Sequence, residues 1–262
     1  MKNAIFITVR TASTRLPKKC LLEINEKPVI ERLIARLIRS KKTDGIVLCT
    51  TELADDDILC RIARDKGIQY YRGSVKDKLA RWLGAVEKYG VDFFVTADGD
   101  DVFCEPELID LAFEQYSKSK PDFIEGKDLV CGAFTYGIKA GALRKVCENK
   151  DTDDTEMMWV YFNETGLFKV EELKGVPAIF RRPDIRMTLD YEDDFTFFKT
   201  ITEHFEAQGN ADFTLREVLA YLDQNPQVIK INQYLQEKFL ENQRSKTRLI
   251  LKTRSNENET ND

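Results

Sequence analysis

The sequence AIFITVRTASTRLPKK, residues 4–19, joins a short apolar run to a strongly basic loop. Residues 4–9 are almost wholly apolar, which predicts a buried β-strand. Residues 10–19 then bring together four basic side chains, three hydroxyls and one proline. Guanidinium and ammonium groups bind phosphate, and a loop that leaves a strand end can also present backbone N–H groups to an anion. The loop has no glycine and is not a Walker A motif, so its composition alone fits a solvated basic surface equally well.

Strand-like and helix-like patterns alternate after this segment. The pattern predicts helices over residues 30–40, 55–66 and 77–89, and further strands over residues 45–51, 68–71 and 92–97. Such alternation is typical of an α/β fold with a mainly parallel sheet flanked by helices, a Rossmann-like nucleotide-binding core. Ligands of these sheets bind at the C-terminal ends of the strands.

The second half of the chain has a more mixed pattern. It predicts helices over residues 105–118, 195–206 and 215–222, and strands over residues 132–138 and 168–173. We expect one domain over residues 1–242, followed by a polar C-terminal tail over residues 243–262 that is first basic and then uncharged or acidic.

Composition excludes several classes of protein. The formal net charge of −5 argues against a dedicated nucleic-acid binder, which needs a basic surface. No apolar stretch approaches the roughly 18 residues that span a bilayer, and the N-terminal apolar run is too short for a signal peptide. The six cysteines form no CxxC pair and are expected to be reduced. A cytoplasmic protein is therefore predicted, without a membrane or nucleic-acid partner.

Acidic side chains follow the apolar strand predicted over residues 92–97. In T96-A-D-G-D-D101, Asp98 and Asp100 have the spacing that places two side chains on one face of an extended segment, and Asp101 follows directly. Carboxylates in this arrangement suit a hard cation such as Mg²⁺. The alternative is an ordinary turn, since Asp and Gly are common turn residues.

A second acidic segment, R186-M-T-L-D-Y-E-D-D194, also follows a short strand-like run. Asp193 and Asp194 are explained by the start of the following helix, whereas Asp190 at the strand end is the better metal-ligand candidate. The single histidine, His204, lies within a helical pattern and is interpreted as structural. Because no Ser-His-Asp arrangement is apparent, chemistry based on a metal and basic side chains fits best.

Taken in order, these segments resemble the cytidylyltransferases that make CMP-activated sugar acids. The likeness is greatest to the spore-coat polysaccharide protein F branch, with 3-deoxy-manno-octulosonate and acylneuraminate cytidylyltransferases as relatives. The matching motifs are Arg10 with STRLPKK over residues 13–19, Thr50 and Thr51 with Asp55–Asp57, RGSVKDKLAR over residues 72–81, Asp100 with EPELID over residues 105–110, and Arg186, Thr188, Asp190 and Asp194. Five ordered motifs over residues 4–200 are more specific than any one of them.

The resemblance implies a glycosyltransferase-A-like fold and CMP transfer from CTP to a sugar acid or related sugar or phosphate acceptor, for surface polysaccharide or glycan biosynthesis. Pyrophosphate would leave, Mg²⁺ would be held by Asp100 and Asp190, and a homodimer would form through residues 130–185. The implied catalytic residues are Arg10, Arg15 and Lys19; the implied nucleotide-binding residues are Arg10, Ser13, Thr14, Arg15, Lys19, Thr50 and Thr51; the implied acceptor-binding residues are Arg72, Asp77 and Arg81.

Two departures leave alternatives open. Asp98 and Asp101 replace residues that are uncharged in most relatives, and they could repel an anionic acceptor or add a metal ligand. Asp98-Gly99-Asp100 is also an Asp-x-Asp motif, which metal-dependent glycosyltransferases use to hold a nucleotide-sugar. That class has no need of the basic loop over residues 13–19. A non-catalytic nucleotide-binding protein of the same fold is a further alternative.

Overall fold

The computed structural model describes residues 1–252. Its strands are β1 (Asn3–Thr8), β2 (Glu23–Ile24), β3 (Lys27–Pro28), β4 (Gly45–Thr51), β5 (Gln69–Gly73), β6 (Phe93–Asp98), β7 (Phe123–Glu125), β8 (Tyr136–Lys139) and β9 (Val170–Glu172). Its helices are α1 (Val29–Leu37), α2 (Asp57–Asp65), α3 (Lys78–Tyr89), α4 (Pro106–Ser119), α5 (Ala140–Asn149), α6 (Val160–Asn163), α7 (Glu192–Ala207), α8 (Leu215–Gln224), α9 (Pro226–Ile229) and α10 (Leu235–Lys246).

A seven-stranded sheet in the order β5-β4-β1-β6-β8-β7-β9 forms the centre of the molecule. Neighbouring strands from β5 to β6 are parallel, β8 runs antiparallel to both β6 and β7, and β7 is parallel to β9. The predicted α/β fold with a mainly parallel sheet flanked by helices is confirmed. The reversal at β8 was not predicted, because strand direction depends on the path of the chain between strands.

The two faces of the sheet carry separate cores, and β1 shows how its sequence serves both. Ile5 and Ile7 point into the larger core, whereas Ala4 and Phe6 point into the smaller one, as the period of two in a strand requires. Phe6 stacks on Phe94 with ring centroids 4.3 Å apart. Because β1 is buried on both faces, its run of apolar residues needs no polar alternation.

The C-terminal ends of the parallel strands meet at one edge of the sheet. Thr8 at the end of β1 lies in register with Asp98 at the end of β6, and β4 ends nearby at Thr51. The Nε1 of Trp82 on α3 donates a 2.8 Å hydrogen bond to Thr8 Oγ1, which fixes α3 against this edge. The predicted loop and carboxylate segments therefore emerge side by side.

Predicted element boundaries agree best in the first half of the chain. The strand predicted over residues 132–138 is reduced to β8, and α7 begins at Glu192 instead of residue 195. The domain boundary predicted after residue 242 falls inside α10, and residues 253–262 of the predicted tail lie outside the described residues. Among residues 1–252, no helix is both long and apolar enough to cross a membrane.

Gly132 lies where residues 131–132 pack against residues 186–187. Cys131 forms an isolated parallel bridge with Arg186, and Gly132 adopts φ +87° beside it. A Cβ atom at Gly132 would lie 2.0 Å from the carbonyl oxygen of Met187. Both the left-handed backbone and this contact require glycine.

We therefore expect Gly132→Ala to lower the free energy of unfolding by more than about 2 kcal/mol, because it adds backbone strain and a steric clash. Urea denaturation followed by circular dichroism measures the change. Gly141→Ala is the matched control, since Gly141 is exposed at the start of α5 and a Cβ there meets no atom within 4 Å. Equal stability of the two variants would contradict the expectation.

Candidate active site

A cavity of about 640 Å³ opens at the C-terminal ends of β1 and β6. The basic loop borders it with Arg10, Ser13, Thr14 and Lys19, and the acidic segment borders it with residues 98–101. The remaining walls come from residues 75–82, residues 126–136, residues 156–159 and one face of α10. The cavity thus brings the predicted phosphate loop and the predicted metal ligands into one place.

A buried carboxylate, Asp56, holds the start of the basic loop. Asp56 Oδ1 accepts hydrogen bonds from the backbone N and the Oγ1 of Thr11, at 2.8 and 2.7 Å. Asp56 Oδ2 accepts from Thr50 Oγ1 at 2.9 Å, and from both the backbone N and the Oγ1 of Thr51. Burial raises the pKa of Asp56, but hydrogen bonds from Thr51, Thr11 and Thr50 outweigh it and hold the pKa below its usual value.

Lys19 forms the electrostatic centre of the cavity. Its Nζ lies 2.5 Å from Asp100 Oδ2 and 2.8 Å from Asp190 Oδ1. Burial lowers the pKa of Lys19, but these two carboxylates outweigh that effect and raise the pKa above its ordinary value. Lys19 therefore stays charged and links the end of β6 to the segment before α7.

Asp190 is surrounded by cations. Besides Lys19, Arg15 lies 2.5 Å from Asp190 Oδ1, and Arg186 lies 3.1 Å from Oδ2. Burial raises the pKa of Asp190, but Lys19, Arg15 and Arg186 together hold it below its usual value. Arg186 itself is fully buried and also pairs with Asp194 at 2.9 Å. These contacts fix Arg186, which in turn holds the carboxylate of Asp190 in place.

Asp98, Asp100 and Asp101 form a compact carboxylate cluster. One oxygen atom from each lies within 4.8 Å of the others, which is close enough for all three to contact a single cation. Burial, together with the neighbouring Asp190 and Asp98, raises the pKa of Asp100 despite its contact with Lys19. Oxygen donors in a crowded, partly buried group fit a hard divalent cation. The sequence left open whether Asp98 adds a metal ligand; in the structure it belongs to the cluster and also pairs with Lys78 at 3.3 Å.

Four predicted ligand-binding side chains point away from the cavity. Thr50 and Thr51 are fully buried against Asp56. The guanidinium of Arg72 contacts Asp57 at 2.5 Å and donates to the carbonyls of residues 51 and 53. Asp77 caps α3 by accepting from the backbone N of residue 80, and it also pairs with Lys150 at 2.5 Å. These contacts stabilise the walls of the cavity.

Arg81 differs from those four because it borders the cavity. Its side chain is 4% exposed, its NH1 donates to the carbonyl of Ser74 at 2.5 Å, and its Nε is buried without a hydrogen-bond partner among the described residues. Burial lowers its pKa, and the nearby charge of Arg10 adds to this effect. A buried guanidinium with a spare donor beside a cavity is suited to an anionic ligand.

Sequence reasoning missed several residues of the cavity. Glu156 pairs with Arg10 at 3.2 Å, and Trp159 and Tyr136 form an aromatic part of the wall. These residues occupy loops and a strand end that carry no local motif, so no signal in the sequence identifies them. His204 stacks on Tyr221 with centroids 4.1 Å apart and does not border the cavity.

Comparison with known proteins gives consistent results. The family model described as Cytidylyltransferase matches residues 4–254. An uncharacterized protein from Methanocaldococcus jannaschii is 33% identical over 240 residues, covering 91% of this chain and 97% of the relative. Spore coat polysaccharide biosynthesis protein SpsF from Bacillus subtilis is 26% identical over 234 residues, covering 86% and 96%. The solved structure of a cytidylyltransferase from Leptospira borgpetersenii has a TM-score of 0.78 at 25% identity, covering 87% and 97%. The family resemblance of the motifs is confirmed.

The Asp56 cluster makes stability depend on pH. A carboxylate whose pKa is depressed by folding contributes stability above its unfolded pKa of about 3.9, and this stability is lost as the pH falls through the folded value. We expect Asp56→Asn to lower the free energy of unfolding by about 2–4 kcal/mol at pH 7, because buried donors lose a charged acceptor. Urea denaturation at pH 7 and below pH 4 should show the difference from wild type shrinking in acid.

Asp55→Asn is the control for that measurement, since Asp55 is the exposed neighbour of Asp56. It should leave the unfolding midpoint unchanged at both pH values. A pH-independent effect of Asp56→Asn would contradict the assignment of an ionised carboxylate.

Proposed function

The chain belongs to the cytidylyltransferase family and is a nucleotidyltransferase, and from this premise we propose that it transfers CMP from CTP to a small sugar-type acceptor. One observation carries the proposal: the basic loop over residues 10–19 and the carboxylates Asp98, Asp100, Asp101 and Asp190 border one cavity. Cations for a triphosphate and oxygen ligands for a metal are the two components that phosphoryl transfer needs, since it depends mainly on alignment and charge neutralisation. The relation to a spore-coat polysaccharide protein supports a role in polysaccharide biosynthesis.

In this proposal the basic loop binds the triphosphate. Arg10, Arg15 and Lys19 would neutralise its charge, and the hydroxyls and backbone N–H groups of Ser13 and Thr14, which border the cavity, would donate to phosphate oxygens. Thr50 and Thr51 contribute indirectly, because they bind the carboxylate of Asp56 that anchors the loop at Thr11. Rigid anchoring of the loop keeps the donors aligned during transfer.

The carboxylates fit Mg²⁺ by donor type and spacing. Asp98, Asp100 and Asp101 would hold the ion, and Asp190 would complete the set where Lys19 links it to Asp100. When bound, the ion supplies charge stabilisation at the α-phosphate and lowers the pKa of an acceptor hydroxyl. Lys19 would then exchange its carboxylate partners for phosphate oxygens.

The acceptor lies opposite the triphosphate in this arrangement. An acceptor oxygen forms a bond to the α-phosphorus, while the bond from the α-phosphorus to the bridging oxygen breaks and pyrophosphate leaves. Arg81, with its spare donor, is the predicted acceptor-binding residue that reaches the cavity. Arg72 and Asp77 support that wall through their structural contacts. The homodimer through residues 130–185 and the division of the chain after residue 242 stay predictions.

We expect the purified protein to release pyrophosphate from CTP and Mg²⁺ with one class in a panel of sugar acids, sugar phosphates, polyol phosphates and phosphonates. Asp100→Asn should lower kcat by at least about 100-fold, because it removes a charge from the metal ligands. Asp65→Asn, at an exposed position of α2, should leave the rate unchanged. A thermal shift with a nucleotide-sugar but none with CTP and Mg²⁺ would replace this proposal with a glycosyltransferase.

Lys19 should compete with a metal ion for its two carboxylates. We expect Lys19→Met to tighten Mn²⁺ binding to the nucleotide-free protein by at least about tenfold, because it removes a cation from the site. The same change should weaken CTP binding, which titration calorimetry measures separately. Lys18→Met is the control, since Lys18 is exposed. Unchanged or weaker Mn²⁺ binding to Lys19→Met would disprove the competition.

A further inference from the structure

The C-terminal helix α10 forms a wall of the cavity. Its residues Gln236, Phe239, Leu240, Gln243 and Lys246 border the cavity, and their spacing places them on one face of the helix. The other side of α10 is exposed and carries charged residues such as Glu241 and Arg244. A helix of low hydrophobicity, with Leu235 as its only buried residue among those described, thus has a defined inner face.

The start of α10 is attached to the base of the carboxylate site. Arg186, which pairs with Asp190, donates a 3.3 Å hydrogen bond to Gln236 Oε1, and its guanidinium carbon lies 4.6 Å from the centre of the Phe239 ring. Asn232, just before the helix, donates to Asp194 at 2.9 Å. The inner face of α10 is therefore positioned relative to the residues proposed to hold the metal.

The segment after α10 is attached to the C-terminal end of α5. Leu251 forms an antiparallel bridge with Lys150, and the backbone N of residue 252 donates to the carbonyl of residue 149 at 2.9 Å. From this attachment the chain continues through residues 150–155 to the cavity wall, which includes Glu156 and Trp159. Contacts before and after α10 therefore limit where the helix can lie beside the cavity.

The chemistry of the inner face differs from that of the cavity floor. Gln236 and Gln243 provide carboxamides that both donate and accept hydrogen bonds, Phe239 provides an apolar ring, and Lys246 provides a cation. The floor, in contrast, carries the three carboxylates of residues 98–101. Burial raises the pKa of Glu156, but the charges of Arg10, Lys78 and Lys246 outweigh burial and keep the pKa below its usual value. Lys246 therefore contributes positive charge at this wall of the cavity.

This division of charge would orient an acceptor. The carboxylate of Asp98 repels an anionic group, whereas Lys246 attracts it to the far end of α10, about 15 Å along the helix from Gln236. A hydroxylated body would then lie along the carboxamides and the ring. Its nucleophilic oxygen would face the floor, where the α-phosphorus of CTP is proposed to lie.

We propose that α10 is the acceptor-binding wall of this enzyme, in which Gln243 and Phe239 contact the body of a hydroxylated acceptor and Lys246 pairs with its anionic group. The inference rests on the proposed function, since it assigns the acceptor half of the same cavity. It assigns acceptor specificity to a segment that the sequence pattern places partly in a polar tail.

Lys246→Met and Gln243→Ala test this assignment in the full-length protein. With the acceptor that wild type uses best, each should raise the acceptor KM, by at least about tenfold for Lys246→Met, because an ionic contact is lost. The KM for CTP and kcat should change by less than about twofold, since Lys246 and Gln243 are assigned to the acceptor and the triphosphate is assigned to the loop over residues 10–19. Arg244→Met is the matched control: it removes a cation from the same helical turn, on the exposed side.

A binding measurement keeps this test separate from the proposed transfer reaction. Saturation-transfer NMR on wild type with CTP and Mg²⁺ detects which members of the acceptor panel bind, whether or not they react. Loss of that signal in Lys246→Met but not in Arg244→Met supports the assignment even where no pyrophosphate is released. Equal behaviour of the two variants, a parallel rise in the KM for CTP, or no bound panel member overturns it, whereas failure of wild type to bind CTP overturns the proposed function.

Discussion

The contact of Lys19 with Asp100 and Asp190 is the constraint on which the site depends. Asp100 follows β6 and Asp190 precedes α7, so the two carboxylates come from segments far apart in the chain. Their mutual repulsion at a partly buried position requires a cation between them, and Lys19 supplies it at 2.5 and 2.8 Å. The basic loop, the end of the sheet and the segment before α7 are therefore joined by one ammonium group.

The charges around this contact form a chain of ion pairs. Asp190 pairs with Arg15 of the basic loop and with Arg186, and Arg186 also pairs with Asp194. Removing one member of such a buried network leaves an uncompensated charge, which costs more than an exposed ion pair contributes. In the proposed function, a triphosphate with its metal ion would bring both signs of charge and could replace these internal pairs.

Side chains near the cavity divide between those that face it and those that hold it in shape. Asp56 binds hydroxyls from Thr11 and Thr51, and so connects the loop after β1 to the end of β4. Asp77 performs a similar role at the start of α3. On the other side, Arg186 contacts both Asp190 and the ring of Phe239, so the acceptor wall proposed for α10 shares its support with a proposed metal ligand. The position of α10 at the cavity therefore depends on the same arginine that holds Asp190.

The sequence by itself determined the α/β fold, the loop over residues 10–19 and the acidic segment at Asp100, because a buried strand followed by charged residues places those residues at the sheet edge. The strand predicted before Asp190 is absent: Arg186 forms only an isolated bridge, so the position of Asp190 beside Asp100 depends on tertiary structure. Tertiary structure alone decided which side chains of the motifs face the cavity. Thr50, Thr51, Arg72 and Asp77 match family motifs yet bond to structural partners outside the cavity, whereas Arg81 borders it.

The antiparallel β8, the contribution of Asp98 to the carboxylate cluster, and the place of α10 at the cavity were also decided in three dimensions. The physical reason is the same in each case. Side-chain direction and the pairing of distant segments follow from packing and charge balance across the whole chain, and these long-range contacts leave no periodic signal in a single stretch of sequence.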